Sequence, residues 1–149
     1  MSAIDTIEFR LAGPQDAAVL RESEGVFDYD VDPALASEFL SDPRHHLAIA
    51  LDDGRIVGMA SGVHYVHPDK SPELWINEVG VAPTHQNRGL GRRVLAVLLD
   101  HGRALGCHEA WLLTDETNDA ARRMYAAAAG RESARQIMIT FDLGADQTG

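Results

Sequence analysis

The sequence is poor in cysteine and in positive charge. It holds one cysteine among 149 residues, so no internal disulfide can form, which agrees with a reducing compartment. We interpret that residue, Cys107, as a small buried hydrophobic side chain. Lys and Arg number 13 against 23 Asp and Glu, and the net charge is −10. This balance disfavours nucleic-acid binding, which depends on cations that neutralise phosphates. It suits a cationic partner, or serves solubility alone.

Long apolar runs are absent as well. A membrane span needs roughly 18 uninterrupted apolar residues, and no segment provides them, so we expect no membrane association. Residues 1–6 lack the basic-then-apolar design of a secretory signal, and we expect a cytoplasmic protein. No repeat, low-complexity tract or linker divides the chain. We therefore predict a single domain over residues 1–149, with a frayed tail at 144–149.

Hydrophobic periodicity and turn residues predict an α/β (α+β) fold with the order β-α-α-β-β-β-α-β-α-β. The predicted strands are 7–12, 46–51, 55–60, 74–83, 109–114 and 136–143, and the predicted helices are 14–24, 34–40, 89–105 and 118–128. The tripeptide Asp52-Asp53-Gly54 suits a hairpin turn with positive φ between the second and third strands. We expect one mixed sheet with helices on both faces.

The most informative segment joins the strand 74–83 to the helix that follows it. Between them lies the hexapeptide Gln86-Asn87-Arg88-Gly89-Leu90-Gly91. A helix start leaves backbone N–H groups without intrahelical partners and carries partial positive charge, so it binds phosphate groups. Two common phosphate-binding designs do not fit: the chain has no Gly-Lys-Ser/Thr triplet, and Val94 stands where a dinucleotide fingerprint has its third small residue.

The hexapeptide resembles the Gln/Arg-x-x-Gly-x-Gly/Ala signature of the GCN5-related N-acetyltransferase (GNAT) superfamily, which transfers acetyl from acetyl-CoA to amines. The resemblance covers residues 9–143, and its wording is closest to the aminoglycoside 3-N-acetyltransferases. The similar segments are 40–50, the hairpin, 65–70, 76–81 and 138–143. Those enzymes usually carry Asp where this chain has Glu78.

The resemblance implies an acetyl-CoA site and two catalytic side chains. The cofactor would be bound by Val79, Gly80, Val81, Gln86, Asn87, Arg88, Gly89, Leu90, Gly91, Arg92, Asn118 and Tyr125. Glu78 is the candidate general base, because strand alternation with Leu74 and Ile76 places it among apolar neighbours that raise a carboxyl pKa. A structural pairing of Glu78 with an arginine is the alternative. Tyr125 matches the family's general acid, and an ordinary core tyrosine is its alternative.

We expect the acceptor to be a cationic small-molecule amine, an aminoglycoside in the first instance. Six carboxylates are candidate substrate contacts: Asp28, Asp30, Asp32, Glu73, Glu78 and Asp142. The alternatives are an acetyltransferase for polyamines, other small amines or protein N-termini, and an acetyl-CoA sensor without turnover. By resemblance, a homodimer formed through the last strand is also expected.

No metal site is expected. His64 and His67 are three residues apart in extended chain, which points their side chains to opposite sides. His45 and His46 adjoin without a carboxylate pattern.

Overall fold

The structure, a computed structural model, describes residues 6–144 of the chain. Its strands are β1 (Glu8–Leu11), β2 (His45–Asp52), β3 (Arg55–Tyr65), β4 (Glu73–Val81) and β5 (Glu109–Trp111), and its helices are α1 (Pro33–Ser41), α2 (Leu90–Ala104) and α3 (Asp119–Ala127). The strands form one sheet in the order β1-β2-β3-β4-β5. All pairs are antiparallel except β4 with β5. The α/β class and the mixed sheet are therefore confirmed.

The β2–β3 hairpin forms where the sequence predicts it. Asp52 pairs with Arg55 across the turn, and Asp53 and Gly54 have φ values of 51° and 78°. Glycine adopts this left-handed backbone without the penalty that a Cβ imposes. The predicted hairpin is confirmed, and it places β2 and β3 at the centre of the sheet.

Helix α2 covers one face of the sheet. Leu90, Val94 and Leu98 recur every four residues along it and are at most 1% exposed. This spacing places them on one side of the helix, where each fully buried leucine contributes roughly 1.5 to 3 kcal/mol of hydrophobic stabilisation. The predicted helix and its buried side are confirmed. The described part of the chain contains no helix with the length and apolarity required to cross a bilayer.

A β-bulge in β4 decides which side chains face α2. Ser61 pairs with Glu78, but Gly62 pairs with Ile76, so Asn77 is an extra residue in β4. A Cβ on Gly62 would contact Leu98 of α2, whereas a Cβ on Gly80 would meet the Val26 carbonyl on the other face. An extra residue reverses strand alternation beyond it. Glu78 therefore faces away from α2, and the predicted alternation with Leu74 and Ile76 is wrong.

The predicted first helix, 14–24, is also wrong. The segment contains only two short 3-10 turns, Pro14–Asp16 and Val19–Arg21. The Asp16 carboxylate accepts the Gly13 N–H at 2.7 Å and binds the Arg10 guanidinium at 2.8 and 2.9 Å. These bonds tie the turn to β1.

The predicted last strand, 136–143, does not form. These residues have no regular structure, and the side chains of Ile137, Met138, Ile139, Phe141 and Leu143 are between 72% and 96% exposed. The segment has the composition of a strand, but a strand requires a partner backbone. Residues 145–149, most of the predicted frayed tail, lie outside the described residues.

Candidate active site

The predicted phosphate cradle lies between β4 and α2. A 3-10 turn, Pro83–His85, follows the strand, and Gly89 then caps α2 with φ at 80°. Within residues 6–144, no acceptor is assigned to the backbone N–H groups of residues 86–92. Free donors at a helix start attract anions. The structure thus brings the six residues 86–91 and Arg92 into one cradle, with Arg88 and Arg92 exposed.

Positions 89 and 91 of the cradle require glycine for different structural reasons. A Cβ on Gly89 would meet nothing within 4 Å, so its positive φ is what requires glycine. A Cβ on Gly91 would lie 2.9 Å from Sδ of Met124 in α3. Gly91 therefore permits the close packing of α2 against α3. Nearby, the Arg93 guanidinium lies 4.0 Å from the centroid of the Phe9 ring in a cation–π contact.

The carboxyl half of β4 has one unpaired edge. Strand β5 pairs only with Glu73, Leu74 and Trp75, so among residues 6–144 the β4 backbone from 76 to 81 has no strand partner on that side. Val79, Gly80 and Val81, predicted to contact acetyl-CoA, lie in this stretch. The Gln86 side chain donates a hydrogen bond to the Val81 carbonyl at 3.3 Å, which joins the cradle to the strand. An extended ligand has free backbone groups to pair with here.

Glu78 lies half-buried beside Asp28. Burial raises the pKa of the Glu78 carboxyl, and the neighbouring Asp28 carboxylate raises it further, while a hydrogen bond from the Asp28 backbone N–H opposes the change. No arginine contributes to this environment. A carboxyl whose pKa moves toward neutrality accepts a proton from an amine more readily than an ordinary glutamate does. Bulge and loop together put two carboxyl groups at one point of the sheet face.

Tyr125 lies on α3, part-buried against the core. Burial raises the pKa of its phenol, so the hydroxyl stays protonated at neutral pH. That hydroxyl has no hydrogen-bond partner within residues 6–144. Asn118 caps the same helix: its Oδ1 accepts the Ala121 N–H at 3.1 Å. The predicted cap is confirmed and fixes where α3 begins.

The other predicted acceptor carboxylates are dispersed. Asp30 lines a cavity of about 270 Å³ that also includes Asp28. Asp32 caps α1, since its Oδ1 accepts the N–H groups of Ala34 and Leu35 at 2.8 and 3.0 Å. Glu73 lies at the far end of β4, roughly 16 Å from Glu78 at the usual rise per residue. It is engaged there: its Oε2 is 3.0 Å from His67 Nε2 and 3.5 Å from Lys70 Nζ. Asp142 lies in the exposed segment without a strand partner, where it accepts the Gly144 N–H.

Sequence reasoning missed a chain of three histidines on the α2 face. His46 Nε2 is 2.7 Å from His64 Nδ1, and His46 Nδ1 is 3.1 Å from His101 Nε2. Both ring nitrogens of His46 are engaged. Within residues 6–144, no group of three His, Cys, Asp or Glu residues is arranged to hold a metal ion. The sequence did contain signals for this cluster. Strand alternation places His46 and His64 on one face of the sheet, and the apolar side of the helix includes His101.

Cys107 is buried, as predicted. Burial raises the pKa of its thiol, which keeps the sulfur protonated and unreactive.

Comparisons with known proteins agree with this architecture. A model of the Acetyltransferase (GNAT) family matches residues 15–130. The chain is 35% identical over 114 residues to N-alpha-acetyltransferase RimI of Mycobacterium tuberculosis, covering 76% of this chain and 70% of that protein.

Two solved structures share the fold. The first is an aminoglycoside acetyltransferase from an uncultured soil metagenomic sample in complex with sisomicin, with a TM-score of 0.81 at 14% identity, covering 95% of this chain and 100% of that one. The second is aminoglycoside N-acetyltransferase AAC(6')-Iy in complex with CoA, with a TM-score of 0.75 at 22% identity, covering 91% and 94%.

The chain belongs to the GNAT acetyltransferase family. It is therefore an N-acetyltransferase, and acetyl-CoA is its acyl donor. Relatives in the comparisons act on different acceptors, so membership leaves the acceptor open. The resemblance to aminoglycoside 3-N-acetyltransferases in particular is not singled out by these comparisons.

Proposed function

We propose that this enzyme transfers acetyl from acetyl-CoA directly to a primary amine of an aminoglycoside, at the 3-amino group. The observation that carries the proposal is the pairing of Glu78, on the strand leading to the cradle, with Asp28 of the loop before α1, which gives the acceptor side negative charge. A polycationic amine is attracted to such a site. Asp30 extends the negative surface. Asp32 and Glu73 stay candidate contacts for their charge, and Asp142 stays one by resemblance to the family's Phe-Asp ending.

The cofactor would lie along the unpaired edge of β4. Its pyrophosphate would take the free N–H groups of residues 86–92, and Arg88 and Arg92 would add positive charge near the phosphates. Its pantetheine would pair with the backbone of Val79 to Val81, and Asn118 and Tyr125 would contact it from α3. When bound, acetyl-CoA supplies the activated acyl group.

Glu78 removes the obstacle that the acceptor presents. An alkyl amine has a pKa near 10, so at neutral pH only about one molecule in a thousand has a free lone pair. Glu78 takes a proton from the ammonium, directly or through water. The amine nitrogen would then bond to the thioester carbonyl carbon and lose its second proton to water as the carbon–sulfur bond breaks, which leaves a neutral amide.

Tyr125 completes the transfer as a general acid. The departing CoA sulfur carries the electron pair of the broken bond, and protonation makes it a better leaving group. The raised pKa of Tyr125 keeps a proton available for that sulfur. The steps require no covalent acetyl-enzyme, and the buried Cys107 takes no part.

A second acceptor class, the α-amine of a protein N-terminus, is supported by the 35% identity to N-alpha-acetyltransferase RimI. Polyamines are a further small-molecule alternative. Thiol release with acetyl-CoA across aminoglycosides, polyamines and short peptides distinguishes the three. We expect the highest kcat/KM for an aminoglycoside, and a peptide with the highest value would replace the proposal.

The catalytic assignment is tested with Glu78→Gln and Tyr125→Phe, and Glu78→Asp serves as the conservative control for the base. We expect a loss of at least tenfold in kcat for each of the first two, and partial activity in the Asp variant. If both variants stay within twofold of the parent kcat/KM, the assignment of base and acid fails. Tight acetyl-CoA binding with no CoA released for any amine would favour a sensor instead.

Two further proposals concern the cell and the assembly. A role in antibiotic resistance predicts that a host carrying the gene is less susceptible to gentamicin-type drugs than one without it. A homodimer formed through residues 136–143 would give their exposed apolar side chains a partner. If the protein dimerises in this way, Phe141→Ser should shift it toward monomer in a sizing experiment. If the parent protein and the variant are both monomeric, the proposal is wrong.

A further inference from the structure

A cavity of about 280 Å³ opens on the sheet face that carries Glu78. Its lining includes Phe39, His45, Ser61, Val63, Trp75 and Asn77. Ser61 stands directly opposite Glu78 in the β3–β4 register, and Asn77 precedes Glu78 in the chain. Directly paired strands lie about 5 Å apart. The cavity therefore adjoins the proposed base.

Aromatic rings wall this cavity, and neighbouring rings hold them in place. Phe39 stacks on His45 with ring centroids 5.1 Å apart. Trp75 stacks between Tyr65 at 6.3 Å and Trp111 at 5.6 Å. A cation binds over the face of a ring, and both faces of Trp75 are occupied by its neighbours. Trp75 is therefore left with its edge for the cavity, and a ring edge carries partial positive charge that does not attract a cation. The cavity thus suits a neutral part of the acceptor, while its ammonium groups go to the carboxylates.

Polar groups in the lining lack internal partners. Ser61 is 7% exposed, and its hydroxyl has no hydrogen-bond partner among the described residues. The Asn77 side-chain amide likewise makes no hydrogen bond within residues 6–144. An apolar occupant that excludes water would leave both groups unsatisfied, which is unfavourable. A hydroxylated occupant would satisfy them.

We propose that this cavity is the subsite for a neutral, hydroxylated ring of the acceptor, next to the amine that Glu78 deprotonates. Ser61 and Asn77 hydrogen-bond to the ring hydroxyls, and the aromatic walls contact its carbon atoms. The inference rests on the proposed function, and it assigns acceptor specificity to residues on β2, β3 and β4. It predicts preference for an amino sugar or aminocyclitol over an acyclic polyamine of similar charge.

The two tryptophans make a direct binding test possible. The chain has only two, so Trp111→Phe leaves Trp75 as the sole indole fluorophore and retains an aromatic neighbour. With CoA present, we would titrate this variant with neamine and with spermidine. We expect a saturable change in Trp75 emission with neamine and none with spermidine. Asn77→Ala and Ser61→Ala should each raise the Kd for neamine roughly threefold to tenfold, the value of one hydrogen bond.

The companion variant Trp75→Phe, which keeps only Trp111, is the matched control. A saturable emission change of equal size in this control would overturn the subsite. Two further results would overturn the subsite if CoA release shows that neamine is acetylated. One is unchanged Trp75 emission, and the other is an unaltered Kd in both Asn77→Ala and Ser61→Ala. The proposed function would survive either result. Stronger binding of a peptide with N-terminal Phe, insensitive to Ser61→Ala, would identify an apolar side-chain pocket instead. Absence of CoA release with every amine would defeat the proposed function separately.

Discussion

Because His46 is buried, we expect the free energy of unfolding to fall in mild acid. It is 8% exposed, and its two ring nitrogens are hydrogen-bonded to His64 and His101. Burial lowers its pKa from about 6.5 to about 4, with smaller contributions from His101, His64 and His45, while the Asp42 carboxylate opposes them. Neutral His46 therefore persists in the folded protein under conditions where an unfolded chain is protonated.

The sign and size follow from linkage. A folded-state pKa below the unfolded value means that the unfolded chain binds the proton first, so the free energy of unfolding is at its full value above pH 6.5 and falls toward pH 4. A fall in the pKa from about 6.5 to about 4 corresponds to about 3 kcal/mol in total, most of which is lost by pH 4.5. Burial also lowers the pKa of His101, which acts in the same direction.

Urea unfolding at pH 7.5, 6.5, 5.5 and 4.5 measures this effect. Other groups also titrate in this range, so the informative quantity is the difference between the parent and His46→Phe, an aromatic replacement that cannot be protonated. We expect His46→Phe to be less stable at pH 7.5, because His64 and His101 lose partners, and to recover on the order of 2 kcal/mol relative to the parent by pH 4.5.

His108 provides the control, since it is exposed. His108→Gln should follow the parent at each pH. A His46→Phe variant whose pH profile runs parallel to the parent within about 0.5 kcal/mol would refute the reasoning, because it would show that His46 binds its proton equally well in both states.

Three further predictions concern packing, capping and an ion pair. Gly91→Ala should weaken acetyl-CoA binding in calorimetry, because its Cβ would lie 2.9 Å from Met124 Sδ; Met124→Ala in the same chain should restore it, and failure of rescue would contradict the packing argument. Asn118→Ala should cost about 1 kcal/mol in urea unfolding, with Asn118→Asp close to the parent. Asp16→Asn should destabilise the fold at pH 7 and match the parent at low pH, because Arg10 holds the pKa of Asp16 below its usual range, so this stabilisation is present at neutral pH and lost in acid.

The cradle and the hairpin were predictable because local chemistry specifies them. Glycine at 54 and 89 meets backbone conformations with positive φ, and Asn118 and Asp32 cap helices through their own side chains. Such interactions span a few residues and do not depend on the rest of the fold. The same holds for α2, whose apolar spacing specifies a buried side without specifying what covers it.

The sequence singles out Glu78 as a candidate base, but it does not predict the environment of that side chain. Strict alternation places it beside Leu74 and Ile76, and the bulge at Asn77 turns it to the opposite face toward Asp28. Residues 74–81 do not by themselves predict that bulge, because it arises from the pairing of β4 with β3. The exposed segment 136–143 was predicted as a strand from its apolar composition. It does not form one, because a strand also requires a free edge of a sheet to pair with.

The sequence by itself determined the class of enzyme, the glycine turn that begins α2, the caps and the hairpin, because each depends on residues close together in the chain. Only the tertiary structure decided which carboxylates meet at Glu78, which cavity adjoins it, and that three histidines from two strands and a helix share hydrogen bonds. Those relations depend on register and packing between distant segments, and the free energies that set them are properties of the assembled sheet and its helices.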